Sequence, residues 1–168
     1  MIEALCRCAV SALLLAALSG CAASGPLKTE GVATDLTPDD VASGAGAAIG
    51  RTVLWGGVIV AATNLEQRTR LEIVAYPLDP YSQRPRAEQA PLHRFLAYQD
   101  GYLETAEYRP GRSVTVRGTV TGTEAGRVGD AAYTYPTVRV DALQLWPERR
   151  AESAEPRFHF GIGIILGN

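Results

Sequence analysis

The sequence is poor in cysteine, and this shortage excludes a disulfide-stabilised fold. Its 168 residues contain three cysteines, Cys6, Cys8 and Cys21. Two of them lie in residues 1–20, which we predict to be removed as an export signal, so the mature chain keeps Cys21 alone. An exported domain with one cysteine cannot form an internal disulfide, so its stability has to come from a packed core.

A membrane-spanning apolar run is also missing from the N-terminus. The apolar stretch there extends only from Ala9 to Leu18, whereas a helix needs about twenty residues to cross the hydrocarbon core of a bilayer. A short polar start precedes this stretch and small residues follow it, which is typical of a cleaved secretory signal. We therefore predict a signal peptide over residues 1–20 rather than a transmembrane anchor.

Neither sign of charge dominates, and histidine is scarce. The chain has 16 Lys and Arg residues against 18 Asp and Glu residues, a net charge of −2, which argues against a nucleic-acid partner. Its two histidines, His93 and His159, are far apart, and no Gly-x-Ser-x-Gly motif occurs, so neither a nucleophile with its base nor a metal-ligand spacing is indicated. We expect no catalytic residue, no metal site and no cofactor.

What the N-terminal region does contain is the sequence Leu18-Ser19-Gly20-Cys21. It is similar to the lipobox of bacterial lipoproteins, which supplies a thiol for diacylglyceryl transfer and, after cleavage, an α-amine for acylation. We predict lipid attachment at Cys21, because two or three acyl chains suffice for stable anchoring; the alternative is an ordinary buried cysteine. Ala22 follows where an Asp would favour inner-membrane retention, so we expect the outer membrane.

Residues 21–50 are rich in small and polar residues and have few large apolar ones. This composition predicts a lipidated flexible tether that carries the rest of the chain away from the lipid surface. Within it, Thr37-Pro38-Asp39-Asp40-Val41 is a favourable helix start, since Thr is a good N-cap and Pro suits the first helical position.

From Arg51 onward the sequence predicts an all-β domain, residues 51–147. Residues 113–121 and 137–145 alternate apolar and polar side chains, as expected of strands with one buried face, and Glu124–Arg127 is interpreted as the turn between them. Further strands are predicted at residues 52–62, 69–76 and 93–98. Five strands without helical periodicity between them favour a small antiparallel β-barrel, most similar to the OB fold.

Four aromatic residues are candidates for a ligand or partner surface: Trp55, Tyr133, Tyr135 and Trp146. Ring faces suit sugars and apolar ligands, and the glycines after Trp55 would let a ligand approach the backbone. The structural alternatives are a tight barrel bend with Trp55 in the core and a packed corner at the two tyrosines.

Two further features of the β domain and its C-terminal extension keep alternative interpretations. Four arginines flank the turns around one strand and could contact anionic lipid or lipopolysaccharide phosphate, although solvated turn charge is the favoured interpretation: Arg109, Arg112, Arg117 and Arg127. Residues 148–168 form a charged spacer and a Gly-rich apolar tail, which is either an added edge strand or an exposed interaction segment.

These sequence features together resemble the Slp family of starvation-inducible outer-membrane lipoproteins. The similarity covers Trp55 to Trp146 and is carried by Trp55-Gly56-Gly57-Val58-Ile59, residues 71–79, residues 108–118, and Tyr133-Thr134-Tyr135-Pro136. The sequence departs from the family pattern at residues 101–105 and in the tail.

The resemblance implies a lipid-anchored protein of the outer membrane, on its periplasmic side, associated with starvation or stress. We expect it to be non-enzymatic and to act with the membrane and with an envelope protein or glycan. The alternative function is binding of a small apolar or glycan ligand through an aromatic-lined face of the barrel.

Overall fold

Five β-strands form the body of the protein in the computed structural model, which describes residues 25–44 and 46–148. The strands are β1 (Thr52–Asn64), β2 (Arg68–Ala75), β3 (Arg94–Asp100), β4 (Ser113–Val128) and β5 (Ala131–Leu145). A short helix, α1 (Pro38–Ala42), and a 3₁₀ turn (Gly46–Ala48) precede them. All five predicted strands are confirmed.

The strands close into a barrel in the order β1-β2-β3-β5-β4. Every pairing is antiparallel except that of β3 with β5, which is parallel. A five-stranded Greek-key barrel with this arrangement is the OB architecture, so the predicted OB-like barrel is confirmed.

The turn predicted at Glu124–Arg127 is wrong, because these residues lie inside β4. They pair with the first half of β5, and this ribbon is closed by the two-residue connection Gly129-Asp130 between Val128 and Ala131. Gly129 has a φ of 57°, and a Gly followed by Asp is a favourable two-residue hairpin sequence. The hairpin keeps the backbone groups of residues 123–136 hydrogen-bonded, which a turn four residues earlier would not.

Side chains along each strand point alternately inward and outward, and the inward ones fill the barrel. Inward residues from all five strands are almost fully buried, among them Val53, Ile59, Leu71, Ile73, Phe95, Val114, Val116 and Val138. In β1, a Cβ on Gly57 would lie 1.8 Å from the carbonyl oxygen of Val74. The glycines after Trp55 therefore allow close strand packing, as the barrel-bend interpretation requires.

The segment before β1 packs against the barrel, contrary to the predicted flexible tether. We call residues 25–44 and 46–50 the N-terminal arm. Leu36, Val41 and Ala48 of the arm belong to the main hydrophobic cluster, and the backbone N–H of Ala33 donates to the carbonyl of Thr52 at 2.8 Å. The tether prediction is wrong for the arm, because a few well-placed apolar residues order it despite its composition.

Helix α1 begins where the sequence predicted. The Thr37 hydroxyl accepts from the Asp40 backbone N–H at 3.3 Å, and the Asp40 carboxylate accepts from the Thr37 backbone N–H at 2.8 Å. This reciprocal capping box satisfies two backbone donors that a helix start leaves unpaired.

Several predicted features lie outside the described residues: the signal peptide over residues 1–20, Cys21 and most of the tail after Glu148. Within residues 25–44 and 46–148, no helix has the length and apolar character needed to cross a membrane.

Candidate functional site

Trp55 lies under the N-terminal arm at one end of the barrel. Its side chain is only 6% exposed and meets the ring of Phe95 edge-to-face, with a centroid distance of 5.4 Å. Its indole N–H donates to the carbonyl of Leu36 at 2.8 Å. Because a buried Trp needs such a partner, the structure places Trp55 in the core rather than on a ligand platform.

Tyr133 and Tyr135 form a packed corner at the start of β5. The Tyr133 ring stacks on His93 with centroids 4.3 Å apart and lies 4.7 Å from the ring of Tyr135. The Tyr133 hydroxyl accepts from the backbone N–H of Arg94 at 2.8 Å. The structure therefore brings these two tyrosines together, and their rings contact other side chains of the chain.

A polar network below this corner fixes the hydroxyl of Tyr135. The hydroxyl lies 3.2 Å from a carboxylate oxygen of Glu72, which also receives a 2.7 Å bond from the guanidinium of Arg94. Burial raises the pKa of the Tyr135 phenol, and the negative charge of Glu72 raises this pKa further. Tyr135 therefore stays protonated and donates, which is a structural role rather than that of a base.

His93 also has structural partners on both sides of its ring. One ring nitrogen lies 2.8 Å from the carbonyl oxygen of Thr134, and the other lies 3.8 Å from the carboxylate of Asp39. Its backbone N–H donates to the same carboxylate at 3.1 Å. These contacts tie the start of β3 to the arm. Across the part of the chain that the structure describes, no group of three His, Cys, Asp or Glu residues could hold a metal ion.

Trp146 follows the other end of β5, beside a different feature. Its indole N–H donates to the hydroxyl of Thr115 at 2.9 Å, and the guanidinium of Arg84 lies 5.6 Å from its ring centroid. Ten residues of β5 lie between it and Tyr135, so the two are roughly 35 Å apart along an extended chain. The four predicted aromatic residues thus occupy three places, and no single aromatic surface unites them.

A surface cavity of about 380 Å³ opens next to Trp146, and we call it the arginine pocket. Arg84, Arg109, Arg112 and Glu148 are its charged lining residues. Two of the four arginines singled out in the sequence therefore meet there. The other two do not, since Arg117 pairs with Asp141 on β4 and β5 and Arg127 lies in the hairpin.

A second, smaller cavity of about 300 Å³ is lined by residues of β2, β3, β4 and β5. The guanidinium of Arg68 lies 4.3 Å from the ring centroid of Tyr98, whose hydroxyl donates to Glu124 at 2.7 Å. Burial, together with this carboxylate, raises the pKa of the Tyr98 phenol. Two arginines, Arg68 and Arg139, and two acidic residues, Asp100 and Glu124, line this cavity, so its charge is mixed.

Sequence reasoning missed the residue that holds the start of the arm, Gln83. Its side-chain amide accepts from the backbone N–H of Leu27 at 2.9 Å and donates to the Leu27 carbonyl at 2.8 Å. Gln83 is 4% exposed and has a φ of 62°. No local signal marks it, because its partner lies 56 residues earlier in the chain.

Asp79 organises the loop that presents Gln83. One of its carboxylate oxygens accepts from the backbone N–H groups of Tyr81 and Ser82, and the other from the guanidinium of Arg86 at 2.8 Å. The Ser82 backbone bond and the Arg86 side chain hold the pKa of Asp79 well below its usual range. The sequence Asp79-Pro80 is a recognisable turn start, so this loop did carry a sequence signal.

Comparison with solved structures finds OB-type neighbours. The mitochondrial single-stranded DNA binding protein Rim1 from S. cerevisiae shows a TM-score of 0.37 and 16% identity, covering 57% of this chain and 94% of that protein. The small single-stranded DNA-binding protein from Streptomyces coelicolor shows a TM-score of 0.35 and 15% identity, with the same coverage. At these scores, neither similarity bears on what this chain binds.

Sequence comparison finds three relatives in two bacteria. An uncharacterized protein of Haemophilus influenzae is 36% identical over 96 residues. In Escherichia coli, the uncharacterized lipoprotein YeaY is 34% identical and the outer membrane protein Slp 33% identical, each over 98 residues. The alignments cover 57% or 58% of this chain, and the chain spans about half the length of these relatives, between 50% and 52%.

The family relationship rests on a longer match than any of these pairs. The model of the outer membrane lipoprotein Slp family matches residues 18–162, which include the predicted lipobox cysteine, the arm and the whole barrel. The chain therefore belongs to the Slp family of outer membrane lipoproteins.

Proposed function

We propose that this protein is anchored in the outer membrane by a diacylglycerol and an N-acyl chain on Cys21, and that it supports the envelope under starvation or stress without catalysing a reaction. The observation that carries this proposal is the position of Cys21. It ends a lipobox-like sequence and precedes an arm that is packed onto the barrel from its first described residues.

Because the arm is packed on the barrel, a lipid at Cys21 would be linked closely to the domain. Gly25 contacts the side chain of Gln83 so closely that a Cβ on it would lie 2.5 Å from that side chain. Three residues separate Cys21 from Gly25, and the four residue-to-residue steps between them span at most about 14 Å when fully extended. A lipid on Cys21 would therefore hold the barrel near the membrane surface, on the side where the arm begins.

A non-enzymatic role is supported by what the perturbed carboxylates do. The hydrogen bonds of Thr37 lower the pKa of Asp40, which caps helix α1, and Asp79 organises a loop. Active sites use shifted pKa values to poise acids and bases, whereas both of these groups have structural partners. The proposed partners are the membrane, through the anchor, and an envelope protein or glycan; nucleic acid is not among them.

Labelling of cells with radioactive palmitate tests the anchor. Wild-type protein should incorporate the label, and Cys21→Ala should abolish both the label and cleavage of the precursor. Cys8→Ala is the matched control, because it removes a thiol from the predicted signal and should leave labelling intact. Continued labelling of the Cys21→Ala variant would refute lipidation at this residue.

Membrane fractionation tests the proposed location in the outer membrane. Wild-type protein should be recovered with the outer membrane, and Ala22→Asp should shift it toward the inner membrane if the usual sorting rule for the residue after the cysteine applies. Ala22→Ser is the control, and recovery of all three forms in the inner membrane would contradict the proposed location.

Survival of cells in stationary phase tests the envelope role. Deletion of the gene should increase detergent sensitivity of starved cells, and wild-type protein should restore resistance, whereas Cys21→Ala should not. Crosslinking in intact starved cells would then identify the envelope partner. Equal rescue by the Cys21→Ala form would show that the role does not depend on the anchor.

A further inference from the structure

The arginine pocket carries an excess of positive charge. Among its lining residues within 25–44 and 46–148, three guanidinium groups face a single carboxylate, that of Glu148, which leaves an excess of two positive charges in this described lining. Arg109 forms an ion pair with Glu148, and Nε of Arg112 lies 3.8 Å from the same carboxylate. The pocket is therefore suited to an anion.

Main-chain oxygens hold two of these arginines in place. Arg84 donates to the carbonyl of Pro147 at 2.9 Å, and Arg112 donates to the carbonyl of Trp146 at 3.0 Å. Neither of these acceptors carries a formal charge. Arg112 also donates to the carbonyl of Glu107 at 3.1 Å, and its Nε is buried away from the pocket opening. Guanidinium groups held in this way keep donors for a phosphate, which they bind more strongly than neutral acceptors.

The pocket lies beside the residue that holds the start of the arm. Gln83 contacts Gly25 and Leu27, and the next residue along the chain, Arg84, lines the pocket. The backbone carbonyl of Gln83 accepts from the Thr115 hydroxyl at 2.7 Å, and the same hydroxyl accepts from Trp146. The point where the arm begins and the pocket are therefore joined by a short series of direct contacts.

An exposed aromatic residue lies in the same loop. Tyr81, two residues before Gln83, is 77% exposed. Tyrosine side chains are enriched where proteins meet the membrane–water interface, because their rings are apolar and their hydroxyls are polar. A surface that combines an exposed Tyr with neighbouring arginines close to a lipid anchor is suited to the headgroup region of a bilayer.

We propose that the arginine pocket binds the phosphate of an anionic phospholipid, so that the barrel rests on the membrane with the pocket and Tyr81 facing it. This inference rests on the proposed lipid anchor, since only three residues separate Cys21 from Gly25, which contacts Gln83 beside the pocket. The pocket would then act as a second membrane attachment, which fixes the orientation that a lipid anchor alone leaves free.

Vesicle flotation of the mature chain, residues 21–168 with Cys21→Ala, tests the pocket without the lipid anchor and without the apolar signal of residues 1–20. Binding to vesicles of phosphatidylcholine is compared with binding to vesicles of equal parts phosphatidylcholine and phosphatidylglycerol. We expect binding to depend on phosphatidylglycerol. Arg84→Gln combined with Arg109→Gln should weaken it by about thirtyfold, from about 1 kcal/mol per arginine near an anionic surface.

Two further variants separate the pocket from general charge. Arg127→Gln combined with Arg139→Gln removes the same charge from side chains that are 63% and 57% exposed and lie outside the pocket lining, and it should leave binding nearly unchanged. Glu148→Gln removes the single carboxylate among the described residues that line the pocket and should strengthen binding about fivefold. Circular dichroism and thermal melting verify that each variant is folded.

The outcomes distinguish the pocket from the anchor. Equal losses in both double variants, or equal binding to the two kinds of vesicle, would overturn the pocket as a phospholipid site. Palmitate labelling of the wild-type chain reports on Cys21 independently of flotation. Labelled protein whose unlipidated form ignores phosphatidylglycerol would keep the anchor and reject the pocket, whereas unlabelled protein with pocket-dependent flotation would do the reverse.

Discussion

Removal of the Gln83 side chain should release the start of the N-terminal arm. Gln83→Ala deletes two hydrogen bonds, of 2.9 and 2.8 Å, that join its amide to the backbone of Leu27. Leu27 is 8% exposed, so its N–H and C=O would be left buried without partners, at about 1–3 kcal/mol each.

Detachment of the arm at Leu27 limits this cost. Detachment exposes the Leu27 side chain, which costs about 1.5–3 kcal/mol, and returns both backbone groups to water. We therefore expect a local destabilisation of about 2 kcal/mol, equivalent to a roughly thirtyfold loss of protection against hydrogen exchange. Amides of the barrel, such as those of β2, should keep their protection.

Hydrogen exchange of the full chain, followed by mass spectrometry or NMR, is the assay. Gln83→Gly separates the loss of the two hydrogen bonds to Leu27 from backbone strain, because glycine is unstrained at a φ of 62°. This variant should be globally more stable than Gln83→Ala but should lose the same protection at Leu27. Gln99→Ala is the control, because the Gln99 amide donates to its neighbouring residue's carbonyl. Unchanged exchange at Leu27 in both Gln83 variants would refute the role of the Gln83 amide in holding the start of the arm.

Three further perturbations follow from the barrel and its loops. Gly57→Ala should prevent folding or cost more than about 4 kcal/mol, because its Cβ would lie 1.8 Å from a backbone oxygen; Gly46→Ala, with open space around it, should be nearly neutral in urea denaturation. Trp55→Phe leaves a carbonyl of the arm without its 2.8 Å donor and should lower the free energy of unfolding by about 1–3 kcal/mol, a reading that an unchanged midpoint would contradict. The folded-state pKa of Asp79 is lowered from 3.8, so the stabilisation from its carboxylate is present above that value and is lost as pH falls toward the folded pKa. The melting temperature should therefore decline less steeply below pH 4 in Asp79→Asn than in wild type. Parallel declines of the two melting temperatures would refute this role.

Local periodicity explains why the strands were predictable. The alternation in residues 113–121 fixes both the strand and its buried face, because a one-residue shift would turn every apolar side chain outward. The hairpin turn was misplaced because Gly126 appeared to be the turn residue, whereas Gly129-Asp130 supplies it. Gly126 lies instead inside β4, opposite Tyr133.

The arm was not predictable from composition. A window rich in Ala, Gly, Ser and Thr averages out the few large apolar residues that are buried in the fold, Leu27, Leu36 and Val41. The same holds for Gln83, whose function depends on a contact with Leu27 across 56 positions. Composition measures how much apolar surface a segment has, but not whether the fold provides a surface to receive it.

The aromatic residues illustrate the same difference for a candidate site. Tyr133 and Tyr135 are close because β5 carries both, so their proximity could be predicted. Trp55 and Trp146 have other partners, because the indole of Trp55 binds the Leu36 carbonyl of the arm and the indole of Trp146 binds the Thr115 hydroxyl past the far end of β5. Nearness along the sequence indicates shared surface only within one turn or strand.

The short link between Cys21 and Gly25 also affects how tightly the arginine pocket has to bind a lipid headgroup. A flexible linker of a few residues confines its two attachments so closely that the effective concentration of one for the other is in the millimolar range. A headgroup site a few residues from an acylated cysteine would therefore be occupied even if its intrinsic dissociation constant were near millimolar. Thirty disordered residues would dilute that advantage, so the packing of the arm onto the barrel allows a weak pocket to act as an effective one.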